Sequence, residues 1–275
     1  MSVNTQQWSS MTANQDERLH KSASVLLRES VISLNLTLQT YDAFIQDVLR
    51  VARLRKSAYC CFANVHMLVE ARHDRTFAQQ VNKATWITPD GVPLRWALRA
   101  FYGIKQERIT GLDVLPTLLA EAARQQLPVY FYGSSSDVLT RCAAFCANHH
   151  PTLRIVGHYA PPFRPLHPDE EQRVVDEITA SGAALVFVSL GCPKQEKWMA
   201  AMSAQIPAVL LGIGGALPVL IGDFRRAPHW MQQWGLEWLF RLGQEPHRLV
   251  KRYVVTNLWF IYYFLRQLAR QPGRS

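Results

Sequence analysis

Five stretches of this chain repeat one pattern, a short apolar run, a turn rich in Gly, Pro or Asn, and then a helical periodicity: 59–64, 86–93, 128–137, 184–198 and 208–216. Apolar runs of this length separated by helix-length segments demand parallel strands joined by crossover helices. The expected fold class is therefore α/β, a Rossmann-like parallel sheet with crossover helices. Open sheets of this kind bind ligands at the carboxyl ends of their strands, so the residues that follow each apolar run are the ones to examine.

Asp90 stands out among them. It follows Trp86-Ile87-Thr88-Pro89 and precedes Gly91, with Pro93 suited to the first turn of a helix over 92–100. A carboxylate there suits a base or a ligand contact, and equally a helix N-cap. Gly91 is free to take a positive φ. Asn64 ends the run 59–63 on the same rim, ahead of a helix to about Val81, and is again a good cap. Gly111 and Asp113 belong to a polar turn, 108–113, of the kind that holds a substrate. Ser134 to Ser136 open a helix where a phosphate or an ordinary cap is at home. The run 184–190 leads into Gly191-Cys192-Pro193-Lys194-Gln195-Glu196-Lys197-Trp198, richer in side-chain chemistry than a turn requires. Gln195 carries both donor and acceptor groups for a sugar, and Lys194 adds a charge. Gly214, in the turn after 208–211, lets backbone approach a ligand closely.

The five cysteines, Cys60, Cys61, Cys142, Cys146 and Cys192, form no CxxC pair and no metal-ligand spacing with the nine histidines, which predicts reduced core thiols. Residues 1–24 are polar and lack the apolar run of a signal peptide, so they are expected to be a disordered leader, with the α/β core over 25–240. From Arg225 onward nine Lys or Arg stand against Glu237 and Glu245, which places +7 of the formal +9 in the tail. Trp230, Trp234 and Trp238 fall on one helical stripe, a pattern expected to be core. Pro246 starts a helix on which Arg248, Lys251 and Arg252 share a face, suited to a diphosphate or to anionic headgroups. The apolar run 254–265 spans twelve residues, short of the roughly 20 that cross a membrane. Residues 241–275 are thus expected to be a basic, aromatic helical appendage that associates with the membrane surface.

Asn64-Val65-His66, Thr88-Pro89-Asp90-Gly91, Gly111-Leu112-Asp113, the run 191–198, Arg226-Ala227-Pro228 and Gln244-Glu245-Pro246-His247-Arg248 resemble, in this order, the WecG/TagA/CpsF glycosyltransferases, family 26. The resemblance covers about residues 64–253. It implies a metal-independent, inverting enzyme that moves a sugar from a UDP-sugar donor to an undecaprenyl-diphosphate-linked acceptor at the cytoplasmic membrane face, with Asp90 as base and no cofactor. Two places depart from the family pattern: Phe62 stands where a Thr is usual, and Leu217-Pro218 where an aromatic-Asp pair is common.

The residues are consistent with that chemistry on their own account. An inverting transfer needs one base, here Asp90, and positive charge for the departing diphosphate, here Arg226, and the chain has no Asp-x-Asp motif for a metal. A non-catalytic nucleotide-binding regulator is the competing reading. It has little use for a carboxylate beside a polyanion. Nucleic-acid binding is not expected, because no helix-turn-helix, zinc or RNA-binding signature is present and the basic residues flank an apolar aromatic stretch.

Overall fold

The computed structural model describes residues 26–270, apart from the side chains of Gln233, His247 and Arg248; the expected leader lies outside the described residues. Six strands form one parallel sheet: β3 (Ala58–Ala63), β4 (Trp86–Pro89), β5 (Val129–Gly133), β6 (Ile155–Tyr159), β7 (Leu185–Ser189) and β8 (Val209–Gly212), in the order β4-β3-β8-β7-β5-β6. The α/β expectation holds, strand by strand.

Side chains alternate across this sheet into two cores. Tyr59, Cys61, Ile87, Tyr130, Val186 and Leu210 face one cluster, and Cys60, Phe62, Trp86, Phe131, Phe187 and Leu211 the other. A sheet buried on both faces accounts for apolar runs with no polar alternation. The first face is covered by α2 (Val65–His73), α3 (Arg75–Asn82), α4 (Val92–Tyr102), α7 (Pro168–Ala180) and α8 (Lys194–Met202). The second is covered by α1 (Tyr41–Arg53), α5 (Gly111–Gln125) and α6 (Ser136–His149). The single helix expected from Asn64 to Val81 is two, because the Asp74 carboxylate accepts from Phe77 N–H at 2.9 Å and caps a new start. Cys60, Cys61, Cys142 and Cys146 are buried free thiols, as expected, and Cys192 is a partly exposed one.

An antiparallel hairpin, β1 (Arg28–Val31) and β2 (Leu34–Thr37), precedes the sheet. It lies against the edge strand β4, whose Ile87 N–H donates to Thr37 Oγ1 at 3.0 Å, and so covers a backbone edge that would otherwise be open.

The C-terminal part differs from expectation at the tryptophans. The stripe is interrupted: α10 (His229–Gln233) stops short of Gly235, whose φ of 73° turns the chain before α11 (Glu237–Gln244) begins. Trp230 and Trp234 are 58% and 72% exposed, so the stripe is surface and not core. Residues Ala216–Leu220 form the short α9, and α12 (Pro246–Leu268) is the longest helix described. It packs on α2, α4 and α11. Tyr263 Oη lies 2.9 Å from His73 Nε2, Phe264 stacks on Phe101 at 5.1 Å, and Gln267 accepts from Ile32 N–H and donates to the Ser30 carbonyl. Phe260 is buried in the first core. The helix is therefore joined to the sheet domain by core side chains while leaving Val254, Val255, Leu258, Ile261 and Tyr262 exposed. No helix among the described residues is long and apolar enough to cross a membrane.

Candidate active site

Strand register brings the rim residues together. Ala63 pairs with Pro89, so Asn64 and Asp90 leave adjacent strands side by side, and Asp90 N–H donates to the Ala63 carbonyl at 2.9 Å. Gly212 pairs with Cys61 and with Val188, which sets the glycine turn between Asn64 and the loop after β7. These ends floor a cavity of about 990 Å³, roofed by α11 and α12. Asp90, Asn64, Gly111, Gln195, Gly214 and Arg252 all line it.

Asp90 is not the helix cap. Gly91 takes that position with φ −80° and ψ 138°, an ordinary extended conformation and not the positive φ allowed for it. Among the described residues the Asp90 side chain has no hydrogen-bond partner, although Arg108, Glu237, Arg241 and Asp113 surround it. Desolvation by the enclosing protein dominates, opposed by Arg108, and raises its pKa from 3.8 to about 7. Part of its surface still opens to the cavity. The result is a carboxylate near the pH at which a general base works best.

Asn64 caps α2, its Oδ1 accepting from Met67 N–H at 3.1 Å, which leaves its amide donor at the cavity edge. Gly111 is close-packed: a Cβ there would lie 3.3 Å from Ile213 backbone atoms, so the start of α5 approaches the glycine turn only without a side chain. Phe62, at the first family departure, is 4% exposed and packs edge-on to Phe44. Pro218, at the second, lines the cavity.

Gln195 acts differently from the expected open contact. Its Oε1 accepts from Gly191 N–H and Gly214 N–H, both at 3.1 Å, and its Nε2 donates to the Gly212 carbonyl at 2.8 Å and to Glu196 Oε1 at 2.7 Å. Every polar position on the amide is taken by protein. Gln195 is a staple that fixes the loop after β7 to the turn after β8. Gly214, with φ 54°, holds its N–H toward that staple.

Two further expectations change. Arg226 is bonded to Asp113, whose other oxygen accepts from Thr110 Oγ1 at 3.0 Å, and neither residue lines the main cavity. The cations that do line it are Arg108, Arg241 and Arg252. Arg108 pairs with Glu237, and a Cβ on Gly215 would lie 3.2 Å from an Arg241 guanidinium nitrogen, which sets that charge over the glycine turn. Lys194 is exposed and outside the cavity lining, a surface charge. Arg252 turns into the cavity, while the Arg248 side chain lies outside the described residues.

Sequence reasoning missed Arg241 and Glu237 as site residues because they lie beside Trp238, in a stripe expected to be core. Their i, i+4 spacing, acid before base, was the available signal. It also passed over Glu196, which is fully buried, with desolvation raising its pKa to about 7.

Residues 29–274 match the family model for the glycosyl transferase WecG/TagA/CpsF family. Among curated relatives, an N-acetylglucosaminyldiphosphoundecaprenol N-acetyl-beta-D-mannosaminyltransferase of Bacillus subtilis (strain 168) is 30% identical over 201 residues, covering 71% of this chain and 77% of the relative. The protein of that name from Bacillus spizizenii (strain ATCC 23059 / NRRL B-14472 / W23) is 30% identical over 194 residues, 70% of this chain and 74% of the relative. The parallel sheet, the rim carboxylate and this match together place the chain in the WecG/TagA/CpsF family of glycosyltransferases.

Proposed function

We propose that the protein transfers a hexosyl or N-acetylhexosaminyl group from a UDP-sugar to an undecaprenyl-diphosphate-linked saccharide, with inversion, in the synthesis of a bacterial surface polysaccharide or exopolysaccharide. The observation that carries this reading is Asp90: a rim carboxylate free of capping duty, without a protein hydrogen-bond partner among the described residues, and poised near neutrality. In the reaction Asp90 takes the proton of the acceptor hydroxyl. The hydroxyl oxygen bonds to the anomeric carbon from the face opposite the diphosphate, and the bond from that carbon to the diphosphate oxygen breaks with its electron pair going to UDP. Arg108, Arg241 and Arg252 are the charges available to the departing diphosphate, in place of Arg226.

Residues 241–275 are proposed to bring the enzyme to the inner face of the cell membrane. Exposed Val254, Val255, Leu258 and Tyr262 supply an apolar face, and exposed Lys251, Arg266 and Arg270 flank it. Each basic residue near an anionic surface is worth about 1 kcal/mol. Phe260 and Phe264 of this segment also line the cavity, which supports its serving as a wall of the site as well as a dock.

The test is release of UDP from a panel of UDP-sugars in the presence of a polyprenyl-diphosphate-linked saccharide. Turnover with one donor, lost in Asp90→Asn, is expected. Binding of UDP-sugar without turnover on any acceptor would instead favour a nucleotide-binding regulator.

A further inference from the structure

The cavity has a second polar wall, of which the transfer chemistry above uses only Arg252. Glu196, in the first turn of α8, is fully buried. Its Oε1 accepts from Gln195, but its Oε2 has no hydrogen-bond partner among the described residues. The Cys192 thiol and the Glu196 backbone N–H both approach this carboxyl and favour its ionised form, but neither meets hydrogen-bond geometry at Oε2, and a thiol is a weak donor. On the facing helix α2, His66 Nδ1 also has no hydrogen-bond partner among the described residues; Glu70 Oε1 stands 3.7 Å away, an ion pair only when the imidazole is protonated, and the Cys192 backbone lies beside the ring. From α12, Arg252 Nε is a third buried atom without a partner. All three residues line the same cavity.

A buried polar atom without a partner is destabilising. Here three such atoms, contributed by three separate helices, belong to residues that line one cavity. The chemistry of the three atoms narrows the ligand. Burial raises the Glu196 pKa to about 7 and, with Arg252, lowers that of His66, so both groups are available in neutral forms that donate and accept. Neutral groups of that kind suit sugar hydroxyls and amides, and the guanidinium suits a phosphate oxygen alongside.

We propose that Glu196 Oε2 and His66 Nδ1 form a sugar-reading corner, which takes the ring hydroxyl or amide groups of a hexose carried on a diphosphate, with Arg252 Nε at its phosphate side. This rests on the reading that the substrates are a UDP-sugar and a lipid-linked saccharide. Either could supply the sugar. Glu196 is then a specificity-determining residue, distinct from the base Asp90 on the other side of the glycine turn.

The experiment uses the full chain and compares Glu196→Gln and His66→Phe with the parent protein. Glu196→Gln keeps an oxygen for the Gln195 amide and changes only the free position. Calorimetry measures affinity for UDP and for each UDP-sugar of the panel, and steady-state kinetics measures KM for a lipid-linked acceptor. If the corner reads the donor sugar, the ratio of UDP-sugar to UDP affinity falls at least tenfold in both variants. If it reads the acceptor sugar, that ratio is unchanged and acceptor KM rises at least tenfold. Variants in which neither quantity moves, or in which cooperative unfolding is lost from both, would assign these groups to folding and overturn the proposal. A parent protein that binds UDP-sugars but turns none over would defeat the transferase reading while leaving the affinity ratio as a live test of the corner.

Discussion

Asp90→Asn should separate stability from catalysis. A carboxyl held at about 7 instead of 3.8 disfavours its ionised form by about 4 kcal/mol at most. Because the folded pKa is raised, Asp90 favours the fold while neutral, below about pH 4, and that contribution is lost as pH rises through 7. At pH 8 the folded parent carries an ionised, poorly solvated carboxylate, and at pH 5 it carries a neutral one. The difference between those two conditions is about 3 kcal/mol at most, and water reaching Asp90 through the cavity reduces it to about 1–2 kcal/mol. Asparagine keeps the shape and removes the charge. The variant should therefore melt about 2–8 °C above the parent at pH 8, using about 2–4 °C per kcal/mol for a chain of this size, and show a smaller gain at pH 5. Transfer should fall by about 10² to 10⁴, the usual weight of a general base. Scanning calorimetry at both pH values, beside UDP-release assays, checks both halves. An unchanged melting temperature with near-normal turnover would refute the assignment of a desolvated base.

Arg108→Gln removes the largest charge favouring ionised Asp90 and leaves Glu237 unpaired, so the acid limb of the pH profile of kcat/KM should move upward from about 7, with activity partly restored above pH 8. Gln195→Ala strands the Gly191 and Gly214 N–H groups and the Gly212 carbonyl; it should cost about 3 kcal/mol in denaturant unfolding and weaken UDP binding together. Activity should survive EDTA, and loss on chelation restored by Mn²⁺ would show that a metal and not arginine meets the diphosphate. Val255→Asp with Leu258→Asp should reduce sedimentation with anionic liposomes and turnover of a long-chain acceptor, while sparing a short-chain soluble one.

How much of this was legible in the sequence depended on whether a residue's partner lay within its own element. The strands were legible because a sheet buried on both faces leaves continuous apolar runs, and their ends located Asn64, Asp90 and the glycine turn on one rim. The tryptophan stripe misled because periodicity assumes an unbroken helix, and Gly235 at φ 73° breaks it. Gln195 was found as a residue with chemistry, but its partners are backbone groups at 191, 212 and 214, and no local pattern shows that a side chain is already fully bonded. Arg226 and Asp113 are 113 residues apart and neutralise one another, whereas Arg241, in the same basic tail as Arg226, has its guanidinium over Gly215.

The two acids near neutrality show why composition alone misses a site of this kind. Asp90 and Glu196 come from turns that any capping rule would accept, and each looks ordinary in its own helix start. What distinguishes them is enclosure: α11 supplies Glu237 and Arg241 around Asp90, while β3 and the loop after β7 close over Glu196. Enclosure raises both pKa values by one mechanism, yet the two carboxyls differ in what they still lack. Asp90 has no protein hydrogen-bond partner among the described residues and meets arginines, as a base beside a polyanion must. Glu196 has one oxygen fixed by the staple and one without a hydrogen-bond partner among the described residues, which suits the proposed reading of hydroxyl groups. The proposed roles thus rest on unfilled hydrogen bonds within a shared cavity, a property that exists only after the chain has brought residues 66, 90, 196, 241 and 252 to one place.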